Sequence, residues 1–391
     1  MNLIDPGIVS IIKGNINELN VTTDFLAAHF LFSLFRGQKN RIHNYSCRQL
    51  FVYYPTVHMV WNTIFENMDN RRSFLLKAGL LSGAAMTAGS QLGSAMELFL
   101  PKGVSTIGLQ LYTLRDALTK DVRSTISKVA GIGYNHVETF YGYQAGKPVQ
   151  FWGLTVKELK ALLAENKLKT HSGHYQLNDF LTRGNGDDTA LKNQIEIAAE
   201  LGQQYLIVPI PPFNIWDKMT APDFEYMASQ LNKAGELCAK SNLKVGYHNH
   251  FWEFRTLANG QRGYDILLKG TDPKLVTFEM DLFWIAKSGV DPVKYFNEHP
   301  GRFSMWHVKD MDKANTANIT GPGLDSKPSM EVLKGISYAE VGTGNIGYKE
   351  IFKHQAASGL KYIFVEQDVI KIDPFVSITE SYSYIKRNLL K

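Results

Sequence analysis

Cysteine is almost missing from this chain: Cys47 and Cys238 are the only two in 391 residues. A disulfide framework and a cysteine-based zinc site are therefore both excluded. Net charge is scarce as well, at +5. Residues 1–95 hold eight Lys/Arg against five acids, and the remainder holds 34 basic against 32 acidic side chains. Such a balance gives no basis for a nucleic-acid or anionic-membrane partner. No run reaches the roughly 18 consecutive apolar residues of a spanning helix, which speaks against stable membrane insertion of the mature protein. No GxGxxG motif follows the first apolar run, so nothing signals a dinucleotide fold. Gly342-Thr343-Gly344 is too short a turn to cradle a phosphate. What the chain does have is a 44% hydrophobic composition, enough at this length to bury a full core.

The front of the chain reads differently from the rest. Asp69-Asn70-Arg71-Arg72-Ser73-Phe74-Leu75-Leu76-Lys77 and the Ala/Gly/Leu stretch after it resemble a twin-arginine export signal, with Gly93-Ser94-Ala95 as the cleavage site. Such signals begin near a start codon, and Met68 stands three residues before Arg71. The expected division is a misassigned extension over 1–67, a twin-arginine-type signal over 68–95 and one folded domain over 96–391. The implied location is periplasmic or otherwise exported.

From residue 104 onward, short apolar runs alternate with amphipathic helix patterns. The predicted strands are 107–112, 136–140, 169–174, 205–209, 243–248, 276–281, 303–308 and 362–366. The helices between them are 121–132, 155–166, 189–201, 221–241, 264–268, 291–298 and 348–357, with a last one over 373–390. A long Gly/Pro/Asn-containing connection spans 313–345. Strands of near-continuous apolar character alternating with helices predict a parallel sheet covered on both faces. Eight such units point to a closed (β/α)₈ TIM barrel, whose active site lies at the carboxyl ends of the strands.

The stretch Tyr247-His248-Asn249-His250-Phe251-Trp252-Glu253-Phe254 stands at the end of the fifth strand. Residues two apart on a strand share a face, so His248 and His250 are expected to point together. Other strand ends carry further candidates: Gln110 on the first, Glu138 on the second, His171 and His174 on the third, Asp281 on the sixth, His307 on the seventh and Glu366 on the eighth. Imidazoles and carboxylates converging in this way suit a divalent metal or an acid/base pair.

Six segments together resemble the xylose-isomerase-like barrel superfamily of sugar phosphate isomerases/epimerases. They are Gly108-Leu109-Gln110-Leu111-Tyr112-Thr113-Leu114-Arg115-Asp116, Tyr247-His248-Asn249-His250 with Glu253-Phe254, Asp281-Leu282-Phe283-Trp284, His307-Val308-Lys309-Asp310, Val341-Gly342-Thr343-Gly344 and Val365-Glu366-Gln367-Asp368. The resemblance implies one divalent ion (Mn, Co, Zn or Mg) held by His248, Asp281, His307 and Glu366, with His250 as a substitute for His248. Ketose 3-epimerases of that superfamily have a Glu where this chain has His248, which moves proton transfer toward His250, Glu253, Lys309 and Glu366. Gln110, Glu138, His174, Trp252 and Trp284 are the expected substrate contacts. The implied activity is a metal-dependent sugar isomerase or epimerase. A 3-keto-glycoside lyase or hydrolase using the same metal and base is the alternative, and a non-catalytic sugar-binding barrel the third reading. The expected partners are a small carbohydrate and further copies of the chain as a homo-oligomer. A three-zinc DNA-repair nuclease is disfavoured, because Trp284 stands where that branch has a metal-binding histidine.

Overall fold

A computed structural model of the chain describes residues 103–390; the expected extension and export signal lie outside the described residues. The chain runs β1 (Gly108–Gln110), α1 (Arg115–Lys120), α2 (Val122–Ile132), β2 (His136–Tyr141), α3 (Val156–Glu165), β3 (Lys169–Tyr175), α4 (Asn178–Leu181), α5 (Thr189–Leu201) and β4 (Tyr205–Val208). It continues through α6 (Ala221–Ala239), β5 (Lys244–His248), α7 (Gly263–Gly270), β6 (Val276–Asp281), α8 (Leu282–Lys287), α9 (Pro292–Glu298) and β7 (Phe303–Val308). It ends with α10 (Ser329–Lys334), α11 (Tyr348–Ile351), β8 (Tyr362–Val365) and α12 (Pro374–Asn388). The strands close into a barrel in the order β1-β8-β7-β6-β5-β4-β3-β2, every neighbouring pair parallel. The (β/α)₈ architecture expected from the alternation is the one observed.

Local chemistry explains most boundaries. Asp121 accepts from the Ser124 amide to start α2, and Gly133 ends it in the left-handed region at φ 115°. Thr155 and Glu158 form a reciprocal capping box at the head of α3, satisfying backbone donors that a helix start leaves free. The short helices α1, α4 and α8 are not among the expected ones, and three expected segments take a different form. β1 stops at Gln110, because the Gln110 side chain accepts from the Tyr112 amide and starts a 3-10 turn over Leu111–Leu114. The helix expected over 348–357 is broken by a 3-10 turn at Phe352–His354. The 313–345 connection contains α10 and a two-residue antiparallel ladder pairing Asp310–Met311 with Tyr338–Ala339.

The barrel interior is layered. Tyr205, Ile207, Met305 and Phe364 form an apolar cluster of their own. Met305 and Phe364 lie two residues before His307 and Glu366, so they share the same inward face one pleat nearer the amino end. Gly246, two before His248, leaves room for this floor: a Cβ there would stand 2.5 Å from Ile207 Cδ1. Above it, Gln110, Glu138, His174, His248, Glu279 and His307 are all buried, giving a polar layer on an apolar base.

β5 ends at His248, so the strand pleat does not extend to His250. The two rings still lie 5.0 Å apart between centroids, brought together by the turn that follows. Glu253 governs that turn. Its carboxylate accepts from the Tyr247 hydroxyl at 2.5 Å and from the His250 amide at 2.9 Å. Burial raises its pKa to about 7, against the lowering effect of those hydrogen bonds. A folded-state value above the ordinary 4.5 means that the folded protein holds the proton longer. The contribution is then complete below about pH 4.5 and lost as pH rises through 7. Glu253→Gln removes this term. Its stability relative to the parent, measured by urea denaturation, should therefore climb between pH 4.5 and 7 by up to the order of 3 kcal/mol and level off above. A flat difference across that range would show that Glu253 is not held as described.

Candidate metal centre

Four side chains from four consecutive strands meet at the carboxyl end of the barrel. His248 and Asp281 close β5 and β6, His307 lies near the end of β7, and Glu366 directly follows β8. One ligand atom of each lies within 4.8 Å of all the others, and all four residues are buried. The sequence-expected metal set is thus brought together. Asp281 divides its carboxylate between two tasks. Oδ1 accepts from the Phe283 and Trp284 amides at 2.9 Å each, capping α8, which begins with no intervening loop. Oδ2 is buried without a hydrogen-bond partner. It lies 3.6 Å from His248 Nε2 and 3.1 Å from Lys309 Nζ, and neither contact has hydrogen-bonding geometry. Asn249 locks the two strand ends by bonding the Asp281 backbone in both directions, at 3.1 and 3.2 Å. Glu366 Oε2 meets His307 Nδ1 at 3.0 Å and accepts from Lys309 Nζ at 2.5 Å.

One residue at the heart of the site escaped the sequence reading. Glu279 precedes Asp281 by two and shares its strand face, so the period of two in Phe278-Glu279-Met280-Asp281 was the signal that could have found it. Its Oε2 lies 2.8 Å from His174 Nε2, 3.0 Å from His248 Nδ1 and 3.1 Å from His307 Nε2. With those three histidines it forms a second buried group of metal-ligand type. Glu138, in the middle of β2 rather than at its end, accepts from Gln110 Nε2 at 2.8 Å and meets His307 Nε2 at 2.7 Å. Each imidazole of the first set therefore has a carboxylate behind it. His248 turns Nδ1 to Glu279 and leaves Nε2 toward Asp281. His307 turns Nε2 to Glu138 and leaves Nδ1 toward Glu366. Such partners fix ring orientation and ligand basicity at metal sites.

Charge in this layer is decided by neighbours as much as by burial. Burial opposes ionisation of Glu138 and Glu366, yet His174 beside the first and Lys309 beside the second hold both carboxyls well below the usual range. Burial also opposes protonation of His174 and His307, but the facing carboxylates raise His174 to about 9 and His307 well above its ordinary value. Asp281 is pushed up to about 6, chiefly by burial. His248 and His250 are held neutral, by burial first and then by His307 and Lys309 respectively. The residues fit a divalent cation: an orphaned buried carboxylate oxygen faces two imidazoles and a second carboxylate, a mixed N/O donor set suited to Zn, Mn or Co. A proton on His307 would leave as such an ion bound.

The remaining expected residues fall around this centre. His250 is partly exposed, its buried Nδ1 has no partner, and its ring packs 5.2 Å from Trp284. Lys309 is fully buried, bonding Glu366 and, at 2.9 Å, Asp368. With those donors committed, Lys309 organises charge around Asp281 and Glu366. Trp284 stands 5.5 Å beneath the Lys309 ammonium, inside the site. Trp252 instead stacks on Trp216 at 4.5 Å and donates its indole N–H to Ser329. Glu253 faces Tyr247 and the turn, away from the four-residue cluster.

The family model described as "Xylose isomerase-like TIM barrel" matches residues 126–374. An inosose dehydratase of Lactiplantibacillus plantarum is 29% identical over 208 residues, which are 52% of this chain and 67% of that protein. A protein of the same name from Geobacillus thermodenitrificans is 26% identical over 247 residues, 59% of this chain and 80% of the relative. Among solved structures, a sugar phosphate isomerase/epimerase of Parabacteroides distasonis superposes with a TM-score of 0.60 at 25% identity, covering 74% of this chain and 96% of that one. The barrel, the polar layer at its mouth and a family match over more than half the chain agree: the protein belongs to the xylose isomerase-like TIM barrel family.

Proposed function

We propose that this protein is a divalent-metal-dependent lyase acting on a carbonyl-bearing sugar or cyclitol, with His248, Asp281, His307 and Glu366 as the ligands. A divalent ion held there supplies Lewis-acid polarisation of the carbonyl, which makes the neighbouring C–H more acidic. The base best placed to take that proton is His250, neutral and with an unpartnered ring nitrogen. Its imidazole accepts the proton from the carbon next to the carbonyl and returns it to the oxygen leaving from the carbon beyond, so that water or an alcohol departs. Lys309 keeps Glu366 ionised and holds both Glu366 and Asp368 in place. Trp284 closes off the apolar side of the site.

The observation that carries elimination over isomerisation is the state of His248. One of its ring nitrogens is engaged by Glu279 and the other faces Asp281, so this strand-5 residue has no site from which to trade a substrate proton. One free base suits an elimination; an epimerisation that works through two bases lacks the second. The dehydratase relatives support the same direction, and the isomerase or epimerase expected from the sequence shares only the first proton abstraction. The ion is proposed to be Zn, Mn, Co or Mg, and the protein to be exported under the signal of residues 68–95.

Purified protein should retain about one divalent ion per chain by elemental analysis, and Asp281→Asn and Glu366→Gln should lose it. Glu279→Gln should keep the stoichiometry while weakening affinity roughly 10–100-fold. Metal-free protein, or an Asp281→Asn variant that binds normally, would sink the ligand set. Incubated with a keto-inositol or an oxidised glycoside, the metal-loaded enzyme should form a dehydrated or aglycone-free product, and His250→Ala should slow this by about 10²–10⁴. Interconversion of keto-sugars without loss of water or alcohol would return the assignment to an isomerase. In a bacterial host, replacing Arg71 and Arg72 by lysine should leave the protein in the cytoplasm, and continued export would remove the signal reading.

A further inference from the structure

At the carboxyl end of β2 lies a cavity of about 440 Å³ whose lining includes Phe140, Gln144, Lys147, Gln150, Phe151 and Trp152. The strand pleat links it to the polar layer. Phe140 follows Glu138 by two residues and so shares its inward face, and it pairs in register with His174. Tyr112 follows Gln110 by two beyond the end of β1. The Tyr112 and Phe140 rings meet edge to face at 5.3 Å, and Phe140 meets Trp152 at 5.4 Å. A file of three aromatic rings therefore leads outward from the wall formed by Gln110, Glu138 and His174.

The backbone holding the outermost ring is unusual. Phe151 and Leu154 exchange two hydrogen bonds, of 2.7 and 2.9 Å, around a two-residue turn. Both central residues have positive φ, Trp152 at 51° and Gly153 at 86°. Turns of this kind favour Asn-Gly, and a bulky aromatic at the first position is strained. The Trp152 ring packs partly against the core and against Phe151 and also lines the cavity; strain kept in this way is a mark of functional positions. The lining combines apolar ring faces with the polar ends of Gln144, Lys147 and Gln150, the mixture that orients a small organic ligand.

We propose that Trp152, Phe140 and Tyr112 form a platform for the second ring of the substrate, so that the substrate class is a glycoside with a cyclic aglycone rather than a free monosaccharide or cyclitol. This rests on the lyase reading above, in which the departing alcohol is that aglycone. A one-ring substrate at the four-ligand cluster would leave the ring file uncovered. A second ring attached to it extends toward β2 and stacks there, offset or edge to face at the 4.5–7 Å typical of aromatic contacts.

The test compares phenyl and methyl β-D-hexosides of gluco, galacto and manno configuration by calorimetric titration of the metal-loaded protein, with Trp152→Gly beside the parent. The phenyl compound of at least one configuration should bind about tenfold more tightly than its methyl counterpart, and Trp152→Gly should bring that ratio close to one. Glycine adopts the same φ without strain, which offsets part of the packing that the Trp152 ring makes against the core, and unchanged metal stoichiometry in Trp152→Gly shows that the variant is folded. The proposal is overturned if no hexoside binds the parent, if phenyl and methyl compounds bind alike, or if the ratio survives in Trp152→Gly. Turnover separates it from the lyase reading. A Trp152-dependent ratio without phenol release from the 3-keto phenyl hexosides keeps the platform and removes the lyase. Phenol release by Trp152→Gly with parental KM does the reverse.

Discussion

Everything at the mouth of this barrel depends on one balance: carboxylates and imidazoles buried together, each keeping the other soluble in the protein interior. An isolated charge there would be untenable. Glu138, Glu279, Asp281 and Glu366 are all buried, and so are His174, His248, His307 and Lys309. Removing any one leaves its partners uncompensated, which is far more damaging than the modest net value of a buried pair suggests. The closed parallel barrel is what makes the balance reachable, because it aims eight strand ends at one axis and seals the layer from below with Tyr205, Ile207, Met305 and Phe364.

Within that balance the carboxylates have different duties. Glu279 and Glu138 stand behind the histidines and decide which ring nitrogen faces forward. Asp281 is half helix cap and half free oxygen, so the same residue starts α8 and offers a ligand atom. Asp310 shows the structural counterpart: its carboxylate accepts from the Gly342 and Ile346 amides at 2.9 Å each and holds the Val341-Gly342-Thr343-Gly344 loop. That segment carried part of the family resemblance, and in the fold it is pinned just beyond the carboxyl end of β7.

The replacement of a strand-5 carboxylate by His248 becomes intelligible in this setting. A carboxylate there would sit against Glu279 and add another negative charge to a layer already rich in them. An imidazole accepts that neighbour and gives up its freedom to shuttle protons. In the proposed reaction the base is His250, two residues on, where the chain has left the strand and the ring is partly exposed. Glu253 supports that arrangement from behind by holding the His250 amide and the Tyr247 hydroxyl, which is why a residue read as acid/base chemistry turns out to steady the turn.

The alternation of strands with helices, barrel closure and the meeting of His248, Asp281, His307 and Glu366 at one end of the barrel were legible in the sequence. Apolar runs, caps and the period of two are local properties, and a barrel carries strand-end residues to one place whatever their separation in the chain. Glu279 was hidden because one charged residue inside an apolar strand reads equally as an outward or an inward position until barrel closure settles the face. The broken helix at Phe352–His354 and the immediate start of α8 depended on tertiary contacts and on a side-chain cap. Which ring nitrogen of His248 and His307 faces the ligands, that Lys309 is sealed between acids, and that Trp284 enters the site while Trp252 stacks on Trp216 were decided only by the tertiary structure. Those are distances between side chains from different strands, and no single stretch of sequence contains both ends of any of them.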